Sequence, residues 1–222
     1  MYKTFLPVFI LLFFVSCSST KVIDYWKSES IDDIKSKKIL VINQFGDDVD
    51  RLRFEYELAA GLKSKGLDAV QANQVFPKLK PSEEIKKEDI AVLKQRLAEE
   101  SIGVVVMTVV KEKQEYATTS SSGGGVYGAG MPYYPGYFGG GYYAGGFYGY
   151  YGSFYTPSYN YSSVTQVNKK YILETVVYDL SRDTDNQMVG AITLSVDNPT
   201  TLGASSKEVS QRLTRELTKK VQ

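Results

Sequence analysis

Three groups of side chains in this 222-residue chain have types and spacings that could do chemistry. Asp47, Asp48 and Asp50 follow the β-branched run Ile39-Leu40-Val41-Ile42 and precede a helical pattern. That is where open α/β sheets place their ligands. Acidic residues are also what a helix start needs for capping and dipole pairing, and that reading requires no ligand. Asp183, Asp185 and Asn186 echo the first ligands of a calcium loop, but Gln187 and Met188 stand where a further ligand and the turn glycine belong. A hairpin turn is expected there. Gly123-Gly124-Gly125 lacks the following Lys-Ser/Thr pair and opens no helix, so it does not read as a phosphate loop. The chain has no histidine, which removes the commonest general base and transition-metal ligand. No Ser or Thr stands in a recognisable nucleophile setting. The residues therefore read as a non-enzyme with no cofactor and no metal site.

Cys17 is the only cysteine and can form neither an internal disulfide nor a zinc site by itself. It follows Lys3, a minimal positive region, and the apolar run Phe5 to Val15, about eleven residues long where a bilayer span needs about twenty. Residues 1–16 thus read as a signal peptide. Phe14-Val15-Ser16-Cys17 resembles the bacterial lipobox, with Phe14 in place of the usual Leu. The resemblance implies cleavage after Ser16 and lipid attachment at Cys17; ordinary cleavage at a nearby small residue is the alternative. Ser18 in place of Asp resembles the outer-membrane sorting pattern. The expectation is a lipid-anchored outer-membrane protein, facing the periplasm, with residues 17–36 as a lipidated tether.

The elements that position these residues are legible from periodicity. The most continuously apolar run after the leader is Ser101 to Val110, expected as a central strand buried on both faces. Lys37 to Phe45 reads as a first strand, and Asp48 to about Lys65 as a helix with Phe54, Leu58, Ala59 and Leu62 on its buried stripe and charges opposite. Gly66 should end that helix. Leu67 to Phe76 reads as a weaker strand, and a helix from about Ser82 buries Ile90, Leu93 and Leu97. Val164–Leu180 and Gln187–Val196 read as two strands joined by a turn. A last helix from Ser205 to Val221 carries the line Val209, Leu213, Leu217 and Val221. The order β-α-β-α-β-β-β-α predicts an α/β fold for residues 37–222: a mixed sheet of about five strands, the first three parallel and the rest antiparallel. Trp26, the only tryptophan, is expected to lie against the domain edge.

From Tyr116 to Asn168 there is no Asp, Glu, Lys or Arg, and Gly and Tyr dominate. Residues 117–163 read as a low-complexity insertion between the third and fourth strands, too glycine-rich to offset its ordering entropy. Removing Gly123 to Gly152 and closing the gap with a short turn is expected to leave the domain folded. Its tyrosines offer large contact area at low rotamer cost. Tyr133, Tyr134, Tyr137, Tyr142 and Tyr143 are the candidate partner contacts, toward glycans or envelope proteins. Formal net charge is +1, with no basic footprint for nucleic acid.

The block Arg53-Phe54-Glu55 … Leu58-Ala59-Ala60-Gly61-Leu62 … Gly66-Leu67-Asp68-Ala69-Val70 … Phe76-Pro77 resembles uncharacterised envelope lipoproteins. So does Tyr178-Asp179-Leu180 with its following turn, strand and amphipathic helix. In fold, the chain is similar to the N-terminal domain of the Tol translocation protein and the periplasmic domain of the curli-secretion lipoprotein. That resemblance implies an envelope location and supplies no catalytic residues. The expected function is a non-catalytic, membrane-anchored binding or assembly module. The alternative is an adhesive or matrix-type protein working through the Gly/Tyr tract.

Overall fold

A computed structural model describes residues 19–77, 87–117, 147 and 167–219. Its centre is a mixed sheet of six strands in the order β1-β6-β5-β4-β2-β3. The strands are β1 (Thr20–Lys27), β2 (Lys38–Asn43), β3 (Ala69–Gln71), β4 (Ile102–Ala117), β5 (Val167–Asp179) and β6 (Met188–Asp197). The helices are α1 (Asp48–Lys63), the single turn α2 (Ala72–Val75), α3 (Lys87–Glu99) and α4 (Ser206–Thr218), with 3-10 helices at Glu29–Ser36 and Thr184–Asn186. As expected, β2 pairs in parallel with β3 and β4, while β4 with β5 and β5 with β6 run antiparallel.

The strand count corrects the expectation of five. Thr20–Lys27, assigned from sequence to the tether, is an edge strand antiparallel to β6. The 3-10 helix behind it buries Ile31 and Ile34 at 2% and 3% exposure. The edge position explains why the strand reads as polar: it has one partner only, and a register shift between Val22 and Asp24 breaks the period-two pattern. The weaker strand expected over 67–76 is also corrected. It shrinks to Ala69–Gln71 because Ala72–Val75 turns into helix and drops Ala72 and Val75 into the core.

Both faces of the sheet are covered. On one, α1, α4 and the first 3-10 helix bury Phe54, Leu58, Leu62, Val209, Leu213 and Leu217 against Ile39, Val41, Val104, Val106 and Val177. On the other, α2 and α3 bury Val75, Leu93 and Leu97 against Leu40, Ile42, Val105, Met107 and Val176. Val104 to Val109 have no exposed surface, which is why this run lacks alternation. Each such side chain contributes roughly 1.5–3 kcal/mol. Val221 and the start of the helix expected from Ser82 lie outside the described residues.

Candidate functional site

Asp47 caps α1: its Oδ1 accepts from the Asp50 N–H at 2.9 Å. The helix ends at Lys63 with Ser64 as its C-cap, and the turn that follows reaches Gly66, whose φ of 81° is one that glycine takes without strain. Asp47, Asp48 and Asp50 therefore act as the helix start that their positions suggested. β2 connects through α1 on one face to β3, and β3 connects through α2 and α3 on the other face, back past β2, to β4.

Behind the start of α1, one of its side chains ties the end of β2 to α2. The carboxylate of Glu55, 1% exposed, accepts from the Asn43 N–H at 3.2 Å and the Asn73 N–H at 3.3 Å. Arg51 Nη1 lies 3.6 Å from Glu55 Oε1, and Arg51 Nη2 donates to Asp48 Oδ1 at 3.4 Å. Burial pushes the Glu55 carboxyl up to about 7, against the pull of Arg51 and the two backbone donors. A side chain of α1 thus satisfies the backbone N–H groups of Asn43 and Asn73. Sequence reading missed this group because it put the α1 charges on the outer face. The available signal was the row Arg51, Glu55, Ala59, four residues apart beside the Phe54–Leu58–Leu62 stripe, together with Asn43 closing an apolar strand.

A second polar node ties the other end of the sheet. Asp179, at the end of β5, receives Lys37 Nζ on both oxygens at 2.7 and 2.6 Å, Ser181 Oγ at 2.8 Å and Arg182 Nε at 3.2 Å. Burial would raise its pKa, but these donors outweigh that and hold it at about 2. Arg182 also reaches Asp33 at 3.2 Å, so the node fastens the first 3-10 helix to the β5–β6 turn. Asp183, Asp185 and Asn186 form that turn, as expected. Beside it, Trp26, Ser28, Arg182, Asp183 and Met188 line an open groove of about 620 Å³. Trp26 does lie on the domain edge, 38% exposed.

Among the described residues no three His, Cys, Asp or Glu side chains gather as a metal site, and no helix is long and apolar enough to cross a membrane. Cys17, Tyr133, Tyr134, Tyr137, Tyr142 and Tyr143 lie outside the described residues. Between residues 118 and 166 of the Gly/Tyr tract Phe147 is the one described residue, and it counts against the expectation that the tract can be removed without cost. Phe147 is fully buried, its ring 5.8 Å from that of Tyr178 at 57°, among Val105, Met107 and Val176. Its N–H donates to Gln187 Oε1 at 3.3 Å.

No protein-family model matches the sequence, and no curated protein does. Among solved structures, the chain is similar to the PelC dodecamer from Paraburkholderia phytofirmans at 10% identity and a TM-score of 0.42, over 89% of this chain and 96% of that one. It is similar to a DUF4136 family protein from Bacteroides thetaiotaomicron at 12% identity and a TM-score of 0.39, over 90% and 94%. Neither is a Tol translocation protein or a curli-secretion lipoprotein, the two folds to which the sequence was likened.

Proposed function

We propose that this chain is an envelope lipoprotein, anchored through lipid on Cys17 to the outer membrane and facing the periplasm, whose α/β domain is a non-catalytic binding or assembly module. The observation that carries the reading is the junction at Ser19. There Ser19 Oγ donates to Glu208 Oε2 at 3.2 Å and the Thr20 N–H donates to Glu208 Oε1 at 3.0 Å. The sole cysteine thus stands between a short apolar run and, two residues on, a residue fastened to the domain. Envelope proteins or glycans are the partners in this reading. The adhesive alternative fits less well, because Phe147 ties the Gly/Tyr tract into the core.

The test is the mass of the amino-terminal peptide from native envelopes, together with fractionation. The wild-type protein should sediment with membranes and carry acyl mass on Cys17, and Cys17→Ser should lack that mass. A wild-type precursor without acyl mass would overturn the proposal.

A further inference from the structure

We infer that the end of the domain at which β2, β3 and β4 finish lies on the bilayer surface that holds Cys17; this rests on the lipoprotein reading above. The linker is short. Ser19 is fixed by Glu208, and its carbonyl accepts from the Asp197 N–H at 2.9 Å. Two peptide steps separate it from Cys17, a reach of at most about 7 Å. The residues assigned from sequence to a stand-off tether are instead spent on β1 and the 3-10 helix.

Strand register decides which end faces down. Thr20 pairs with Val196, Val196 with Tyr171 and Tyr171 with Lys113. Beyond that level the β4–β5 ladder continues through Gln114↔Lys170, Glu115↔Lys169, Tyr116↔Asn168 and Ala117↔Val167. Those four steps extend the hairpin by about 13 Å, in the direction in which the chain leaves toward Cys17. With upright strands the hairpin, about 13 Å beyond the level of Thr20, therefore reaches a little farther than Cys17, at most three peptide steps or about 10 Å beyond it. Headgroups add roughly 5–8 Å to each side of the hydrocarbon, so the hairpin end meets them. The last described residues of its ladder, Tyr116, Ala117, Val167 and Asn168, carry no charge that would resist this.

An independent feature marks the same end. Helix α1 starts there, with Asp50 against Gly203 in the loop that follows β6. Its first turns present Val49, 70% exposed, and Leu52, 37% exposed. Aliphatic side chains shown to water beside a lipid anchor fit the headgroup–acyl boundary. Asp47, Asp48 and Arg53 beside them are exposed, and Lys169 and Lys170 stand in the last ladder steps, so charges of both signs meet the surface, which suits zwitterionic headgroups.

The test uses the acylated full-length protein in phosphatidylethanolamine/phosphatidylcholine vesicles containing a headgroup nitroxide quencher. Single fluorophores are placed through Val49→Cys and, at the opposite end, Asp185→Cys. Quenching at least about threefold greater at position 49 is the expected result, and inserting ten Gly/Ser residues between Ser18 and Ser19 should reduce it. Equal quenching at both positions, or more at 185, overturns the orientation while leaving the anchor intact. Absence of acyl mass on Cys17 overturns the anchor reading and the orientation with it, so the two failures are distinct.

Discussion

Two buried carboxylates, Glu55 and Asp179, respond to pH in opposite senses because their surroundings differ. Glu55 has a folded-state pKa of about 7 against an ordinary 4.5. The folded state therefore holds a proton that the unfolded chain has lost, and stability falls as pH rises from 4.5 to 7. The full span is on the order of 3 kcal/mol. Glu55→Gln should abolish that slope, read from urea midpoints between pH 4.5 and 8; a parent protein with flat midpoints over this window would show Glu55 ionised throughout. Asp179 is held at about 2 against an ordinary 3.8. Its contribution is present above 3.8 and is lost as pH falls toward 2. Asp179→Asn leaves Lys37 facing no carboxylate and should cost about 3 kcal/mol at pH 7. The difference from the parent should shrink below pH 3.8, and one that stays constant down to pH 2 would assign it to something other than this ion pair.

Elements meet through contacts that periodicity does not display. Helices α1 and α4 run side by side in the same direction, Asp50 against Gly203 and Gly61 against Thr214. A Cβ on Gly61 would come 2.4 Å from Thr214 Oγ1. Gly61→Ala should cost about 1–3 kcal/mol by overpacking, and adding Thr214→Ala should restore most of it in thermal melts. If the double variant is no better than the single, the cost lies in the backbone of α1. On the other face Phe147 joins a segment distant in sequence to Tyr178. Phe147→Ala should therefore cost about 3–5 kcal/mol, and removing Gly123–Gly152 should destabilise the domain because it takes that ring away. A deletion that melts with the parent would make Phe147 dispensable.

At the scale of the whole molecule, stability rests on β4, which pairs with β2 on one side and β5 on the other and is covered by helices on both faces. Val105 is fully buried opposite Tyr178. Val105→Asp places an unpaired carboxylate there at a cost of several kcal/mol, comparable with the stability of an entire domain. Loss of the cooperative melt is the expected outcome, and a transition near the parent's would show that β4 is not central. The node at Asp179 and the contacts of Ser19 and Thr20 with Glu208 close the N-terminal segment onto this sheet.

Local pattern determined most of the architecture. The apolar run at Val104–Val109, the stripe Phe54–Leu58–Leu62 and the turn at Asp183–Asn186 are each set by neighbours a few residues away. Strand, helix and turn follow from them, and parallel or antiparallel pairing follows from the connections between them. The Cys17 reading is local in the same way. Tertiary structure alone decided where a polar segment gains partners far along the chain. β1 is a strand because β6 offers it a ladder about 170 residues later. Glu55 is buried because the last residue of β2 and the first turn of α2 present their N–H groups to one point. Phe147 sits in the core because Tyr178 and Gln187 form a seat for it. In each case the energy comes from contacts of long sequence separation, and the residues supplying it carry no mark of it in their own neighbourhood.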